Sequence, residues 1–396
     1  MAESTFDVIA AGHLCLDLYP QFATSRQSGR IADLLQPGTL IHMGEMTLST
    51  GGAVSNVGIA MKIFGCRVGF VARVGADELG RLTIGMLQRS GSAEGIAMAR
   101  GEPSSYTVVL APPNIDRIFL HCPGTNDTFT LQDVNPDLVR QARLFHLGYP
   151  TLMRSLFVNE GEELARILGT VRRLGSTTSL DISLPDPNSE AGRADWRAIY
   201  RRALPYTDIF APSVEEAFFT LHPGEYLQRK QALEGQELID HISPQEHADL
   251  AAEFLSMGCA VAAIKAGHNG WYIRTAGRER LQAAGRGAPP DAARWAEREL
   301  WCPAFQVQHI ASAAGAGDSS IAGFLTGLLQ GKSIESCLRL ANAAGCMNLR
   351  AMDTLSGLLS WEELQAALPG LTPRDNAFLG TAGWGWEQEL AVWERR

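Results

Sequence analysis

Residues 54–75, VSNVGIAMKIFGCRVGFVARVG, join two kinds of apolar periodicity within one short stretch. Val57, Ala60, Met61 and Phe64 recur at the spacing of one helical face, whereas VGFVARVG is a short β-branched run bounded by glycine. FDVIAAG (6–12) lies upstream and has the same strand-like character, and ELGRLTIGMLQRSG (78–91) continues with a second helical stretch. Strands alternating with helices in this way specify βαβ units and a mostly parallel sheet covered on both faces. The alternation resumes in RLFHLGYP (143–150), TSLDISLP (178–185), YTDIFAPS (206–213) and AVAAIKAG (260–267), each a candidate buried strand.

Two regions depart from the pattern. Residues 14–50 contain no convincing helix, and SSYTVVLAPPNIDRIFLHC (104–122) reads as a hairpin. Together, about 14–50 and 100–125, they predict a small accessory β-sheet projecting from a single α/β domain that spans 1–396. The Gly-, Ala-, Pro- and Arg-rich stretch 277–298 reads as a mobile surface excursion, and the Trp-rich end GTAGWGWEQELAVWERR (380–396) as a terminal helix packed on the body.

Composition narrows the function. The chain has 396 residues, 45% hydrophobic and 19% charged, enough for a large core. A net charge of -9 with no basic run disfavours nucleic acid and anionic membrane as partners and favours small-molecule chemistry. Seven cysteines without a C-x-x-C pair suggest neither a zinc site nor a disulfide framework, which fits a reduced, cytoplasmic protein. No window reaches the roughly 18 uninterrupted apolar residues of a membrane span, and the N-terminus lacks the pattern of a secretion signal.

The chemistry-bearing stretch is ASAAGAGDSS (311–320), one acid among tiny residues. Ile321, Phe324, Leu325, Leu328 and Leu329 form a helical stripe just after it, so Asp318 stands at a helix start. Gly315, Ala316 and Gly317 could cradle a phosphate on unpaired N–H groups, and Asp318 could take a proton from a hydroxyl aligned with it. An N-cap aspartate after a flexible turn fits the same residues. GLLQGKS (327–333) is not a rival phosphate loop, because it lacks one residue between its glycines and ends a helix. STGGAVSNVGIAMKIFG (49–65) places Gly51 and Gly52 before a helix with Asn56 in its first turn, either a site for a polyhydroxylated ligand or a tight turn.

Taken with RVGADELG (73–80), the stretches 49–65 and 313–325 resemble the two signature regions of the ribokinase (PfkB) family of carbohydrate kinases, in the expected order along nearly the whole chain. The resemblance implies a three-layer, doubly wound ribokinase-like fold with a small β-sheet lid, and an ATP-dependent phosphotransferase acting on an alcohol. It assigns Asp318 as the base and the backbone of Gly315, Ala316 and Gly317 as the anion hole. AAGHLCLDL (10–18) matches the first strand and the acid that holds sugar hydroxyls, Asp17, while Gly51, Gly52 and Asn56 match the second sugar-contacting turn. Ala53 stands where ribokinases proper carry lysine, which makes the chain look closer to fructokinase-like members.

On the nucleotide side, DIFAPSVEEA (208–217) resembles the P-N-x-x-E element, with Glu216 as the acid that meets Mg2+ through water and Ser213 in place of the usual Asn. Ser213 and Glu216 equally form a capping box. IKAGHNGWYI (264–273) matches a turn along the nucleotide bracketed by Gly267 and Gly270, where Lys265 fits either a phosphate contact or a solvated strand end. Asn342 in LANAAG (340–345) is the candidate for a base or ribose contact. Three residues before Gly315 the family often carries an acid that supports a monovalent cation, and here Ser312 stands there, which counts against potassium dependence. A nucleoside kinase of the same family would share every motif, and a non-catalytic sugar- or nucleotide-binding protein could share the fold. The accessory sheet also offers an edge and a face for a homodimer.

Overall fold

A computed structural model of the chain describes residues 5–22, 31–112, 115, 117–233, 235–380 and 383–396. Residues 23–30 of the expected lid stretch, positions 113, 114 and 116 at the expected hairpin tip, and 381–382 near the C-terminus lie outside the described residues.

In chain order the strands are β1 (Phe6–Gly12), β2 (Cys15–Phe22), β3 (Met43–Gly51), β4 (Val68–Gly75) and β5 (Ser92–Ala99). Then come β6 (Tyr106–Leu110), β7 (Ile118–Cys122), β8 (Ala142–Gly148), β9 (Thr177–Asp181) and β10 (Ile209–Phe210). The last five are β11 (Val261–Lys265), β12 (Trp271–Thr275), β13 (Glu299–Cys302), β14 (Trp384–Glu387) and β15 (Val392–Arg395). Eleven of them form one sheet in the order β14-β15-β13-β12-β11-β10-β9-β8-β1-β4-β5. From β5 to β11 every neighbour is parallel, and beyond β11 every neighbour is antiparallel. The other four form a separate sheet, β3-β2-β6-β7, which is the accessory sheet the sequence predicts.

The parallel strands are buried on both faces, which is why they read as continuous apolar runs and not as alternating ones. Val8 and Ala10 of β1 join one core with Val57, Met61 and Phe64, while Ile9 and Ala11 join the opposite core with Phe145 and Leu147. The helix Ala316–Leu329 lies in the first core against the helix Ile334–Asn348. Their approach depends on small residues, since a Cβ on Gly323 would stand 2.8 Å from the Leu340 carbonyl oxygen.

Two expectations are corrected. The Trp-rich terminus is not a helix; it adds β14 and β15 to the sheet edge, with Trp384 buried edge-on against Tyr272 and Trp301. The stretch 277–298 is not a surface excursion, because Leu281 and Trp295 are buried in the core. Arg280 pins it at 2.7 Å to the buried Asp208, and Arg286 caps the carbonyls of Val139, Ala142 and Leu174. Among the described residues no helix is long and apolar enough to cross a membrane.

Burial holds three imidazoles neutral. It pushes His13 and His146 from 6.5 down to about 3 and His247 down to about 4. These groups take up protons on unfolding whenever the pH lies between the folded and unfolded values, so the stability they contribute is complete above pH 6.5 and is lost on acidification. His247→Leu is therefore expected to flatten the fall of unfolding free energy below pH 6.5 by about 1.4 kcal/mol per pH unit, measured by denaturant titration across the acid range.

Candidate active site

The carboxyl ends of β1, β8, β9 and β11 converge on the N-terminus of the helix Ala316–Leu329. Gly315 enters that helix with φ 75°, a left-handed conformation that glycine adopts without strain, and makes no side-chain cap. A Cβ there would meet Thr354 at 2.7 Å. The N–H groups of Gly317 and Asp318 have no partner among the described residues, so the helix presents free donors at this end.

Asp318 is buried at 5% exposure but does not cap its own helix. Its two oxygens instead accept from residues distant in sequence: Asn56 Nδ2 at 2.9 Å and the Tyr149 hydroxyl at 2.6 Å. Burial pushes its pKa above the ordinary aspartate value, against the pull of those two donors and of Lys265. Asn56 reaches it because Gly52, at φ 86°, turns the chain straight into the helix Ala53–Ile63. Tyr149 follows β8 with φ 61°, an uncommon conformation for a bulky residue, and its N–H donates to the Asp181 carbonyl at 3.1 Å.

Behind Asp318 lies a buried charge cluster. Lys265, at the end of β11, points inward and places Nζ 2.7 Å from Asp181 Oδ1 at the end of β9. Burial works against its charge, yet Asp181, Glu216 and Asp318 outweigh that and hold the ammonium above the usual lysine value. Burial raises Asp181 and Glu216. A Cβ on Gly317 would stand 4.0 Å from Lys265 Nζ, so this cation borders the helix N-terminus. Ser213 and Glu216 form the expected capping box, with Glu216 Oε2 accepting the Ser213 N–H at 2.6 Å.

On the other side, Asp17 sits on β2 of the small sheet. Its carboxylate accepts from Cys15 Sγ at 3.2 Å and from the hydroxyls of Thr107 and Tyr19, and burial raises its pKa. Gly51 makes room for it, because a Cβ there would lie 2.1 Å from Asp17 Oδ2. A Cβ on Gly52 would likewise lie 2.5 Å from His13 Nδ1. The site is thus bounded by an acid on the small sheet, Asp318 on the large domain, and free helix donors beside a buried lysine.

The sequence pattern of the pfkB family carbohydrate kinases matches residues 23–361. The chain belongs to that family. This pfkB kinase is 25% identical over 286 residues to an "uncharacterized sugar kinase" of Archaeoglobus fulgidus, covering 72% of this chain and 92% of the relative. It is 23% identical over 349 residues to the 2-dehydro-3-deoxygluconokinase of Bacillus subtilis, covering 84% and 90%. The structure of Arabidopsis thaliana ribokinase complexed with ribose and ATP superimposes with a TM-score of 0.66 over 92% of this chain and 99% of that one, at 17% identity, a likeness of fold. The protein is accordingly a sugar kinase with the ribokinase-like fold, transferring phosphoryl to an alcohol.

Most of the candidate residues of this pfkB kinase gather as the motifs suggest. Gly267 and Gly270 bracket a tight turn at the end of β11, where a Cβ on Gly270 would meet the Cys302 carbonyl oxygen at 2.0 Å. Lys265 is not a solvated strand-end lysine. Asn342 donates its amide N–H groups to the carbonyls of Cys302 and Pro303 at 3.0 and 3.1 Å and so holds the loop after β13. Tyr149 and Asp181 escape a reading from sequence. HLGYP and SLDIS announce only strand ends there, and the relevant signal is their place at the carboxyl edge of adjacent parallel strands.

Proposed function

We propose that this kinase transfers the γ-phosphoryl group of ATP to a hydroxyl of a sugar or sugar-like alcohol, with Asp318 as general base. The observation that carries the reading is a buried carboxylate held by Asn56 and Tyr149 at a helix end whose N–H groups of Gly317 and Asp318 are unpaired. Asp17, with Gly51, Gly52 and Asn56 around it, holds the acceptor. Asp318 takes the acceptor's hydroxyl proton as its oxygen bonds to the γ-phosphorus and the bond to the β-phosphate oxygen breaks, releasing ADP. Of the expected anion-hole run, the Ala316 N–H is committed to the Ala313 carbonyl at 3.3 Å, so the N–H groups of Gly317 and Asp318 offset the charge on the transferring group, each such donor lowering the barrier by about 3 kcal/mol. Lys265 neutralises phosphate oxygens, and the turn from Gly267 to Gly270 runs along the nucleotide.

Among the described residues no group of three His, Cys, Asp or Glu forms a ready metal cage. Mg2+ keeps waters and phosphate oxygens and needs one or two carboxylates nearby, and Glu216 would hold it through water. Magnesium held there would supply positive charge to the phosphates of ATP. An ATP-consumption screen over hexoses, pentoses, sugar acids, inositols and nucleosides tests the reading. Turnover of a sugar by wild type supports it; turnover of nucleosides alone, or binding of a sugar without turnover, refutes it.

Gly51→Ala probes the acceptor side. Its Cβ would displace the Asp17 carboxylate, and the expected result is a fall of about 10- to 100-fold in kcat/KM for the acceptor with the KM for ATP little changed. We also assign the small sheet as a homodimer surface. Its edge strand β7 pairs only with β6 among the described strands and carries Phe119 at 59% exposure, an apolar side chain on an open edge of the sort that pairs with a second copy. Sedimentation should show a dimer that Phe119→Glu converts to monomer; a monomeric wild type overturns the assignment.

A further inference from the structure

Ser312, at the position where the family often carries a cation-supporting acid, is buried and already engaged. Its Oγ accepts from Arg117 Nη2 at 2.7 Å and from the Ala314 N–H at 3.1 Å. Arg117 immediately precedes β7, so this bond ties the small sheet to the loop that leads into Gly315. The same guanidinium lies near Tyr19, where its charge opposes the rise that burial and Asp17 impose on the phenol. Tyr19 in turn donates to Asp17. One guanidinium therefore stands between Asp17, which holds the acceptor, and the loop feeding the free helix donors.

A potassium ion does not fit this arrangement. It would need free oxygen donors, whereas the Ser312 hydroxyl oxygen already accepts two hydrogen bonds, and a cation beside it would face the guanidinium without a carboxylate from residue 312 to offset the repulsion. We propose that Arg117 supplies, from the small sheet, the positive charge at the Ser312 loop that a monovalent cation would otherwise provide, so that phosphoryl transfer by this kinase is independent of potassium. Arg117 acts through Ser312 and is a positioning residue. It sets the loop from Ser312 to Gly315, and it adds a fixed, always-charged group to the field over the phosphoryl end of the site.

This inference rests on the kinase reading above, and its test separates the two. Wild type, Arg117→Ala and Arg117→Met, the latter keeping an apolar stem, are compared in potassium chloride and tetramethylammonium chloride at equal ionic strength. Calorimetry follows magnesium AMP-PCP binding, and steady-state assays follow any acceptor found in the screen. Wild type is expected to bind and turn over equally in the two salts, within about twofold, while both variants lose about tenfold or more in kcat, or in AMP-PCP affinity, with acceptor KM little changed. Potassium stimulation of wild type by more than about fivefold would overturn the inference, as would variants equal to wild type or a loss confined to acceptor KM. Should no acceptor be turned over, the kinase reading fails, and the calorimetry still decides whether Arg117 or potassium supports the phosphate end.

Discussion

Asp318→Asn is expected to lower kcat by about 10^3-fold while leaving the KM values for ATP and acceptor within a few-fold of wild type. The carboxamide is nearly isosteric but cannot accept the acceptor's proton. Stability should move little or even rise. Replacing a buried carboxylate removes the desolvation cost that pushes Asp318 above the ordinary aspartate range, at the cost of one mismatched hydrogen bond. The Tyr149 hydroxyl can rotate to accept from the new amide, and Asn56 can keep donating to the remaining oxygen. A variant that loses turnover but keeps its melting temperature separates a base from a structural cap; a variant with wild-type kcat removes Asp318 from the chemistry. The pH profile adds a second check. The base must be ionised, so kcat/KM falls as pH drops through the pKa of Asp318, and that acid limb lies above the usual aspartate range. Tyr149 donates to the ionised form and lowers the pKa. Removing that hydroxyl in Tyr149→Phe is therefore expected to move the acid limb to higher pH, and a limb that stays in place would dissociate Tyr149 from the base.

The layers of this fold were legible because parallel strands buried on both faces leave an unmistakable trace, as in FDVIAAG and VGFVARVG. The C-terminal hairpin was not. Trp384, Trp386, Val392 and Trp393 are too few to fix a period of two across a short turn, and glutamates around them suit a helix equally. Residues 277–298 misled in the opposite way, since their Gly and Pro content reads as a loop while the anchor of Arg280, Asp208, lies 72 residues away. The site divides along the same line. Gly51, Gly52, Asn56 and the run Gly315–Asp318 are local motifs and were visible as such. What sequence could not show is that Asn56 points at Asp318, or that Asp181 and Lys265 meet across the carboxyl ends of β9 and β11. Those pairings depend on strand order and on which side chains turn inward, which no local pattern records.

The pairing of Lys265 with Asp181 has the second large consequence. Lys265→Met would leave Asp181, Glu216 and Asp318 buried together without their neighbouring ammonium, and breaking such a pair is expected to cost about 3–5 kcal/mol at neutral pH. Part of that cost is avoided by protonation. Lys265 holds Asp181 down, so its loss raises the folded-state pKa of Asp181 further above the unfolded value. A raised carboxylate pKa means that the folded state binds the proton more tightly, so the variant is most stable at acid pH and loses stability as pH rises through that folded pKa. Its stability at neutral pH, relative to wild type, should therefore improve on acidification, as read by thermal unfolding. Lys265→Met combined with Asp181→Leu removes the orphaned charge and should recover much of the stability. It should not recover turnover, because the ammonium that meets phosphate oxygens is still missing. If the double variant regained wild-type kcat, Lys265 would be a purely structural partner of Asp181; if it regained stability yet remained at least about 10-fold slower, the lysine acts on the phosphates as proposed.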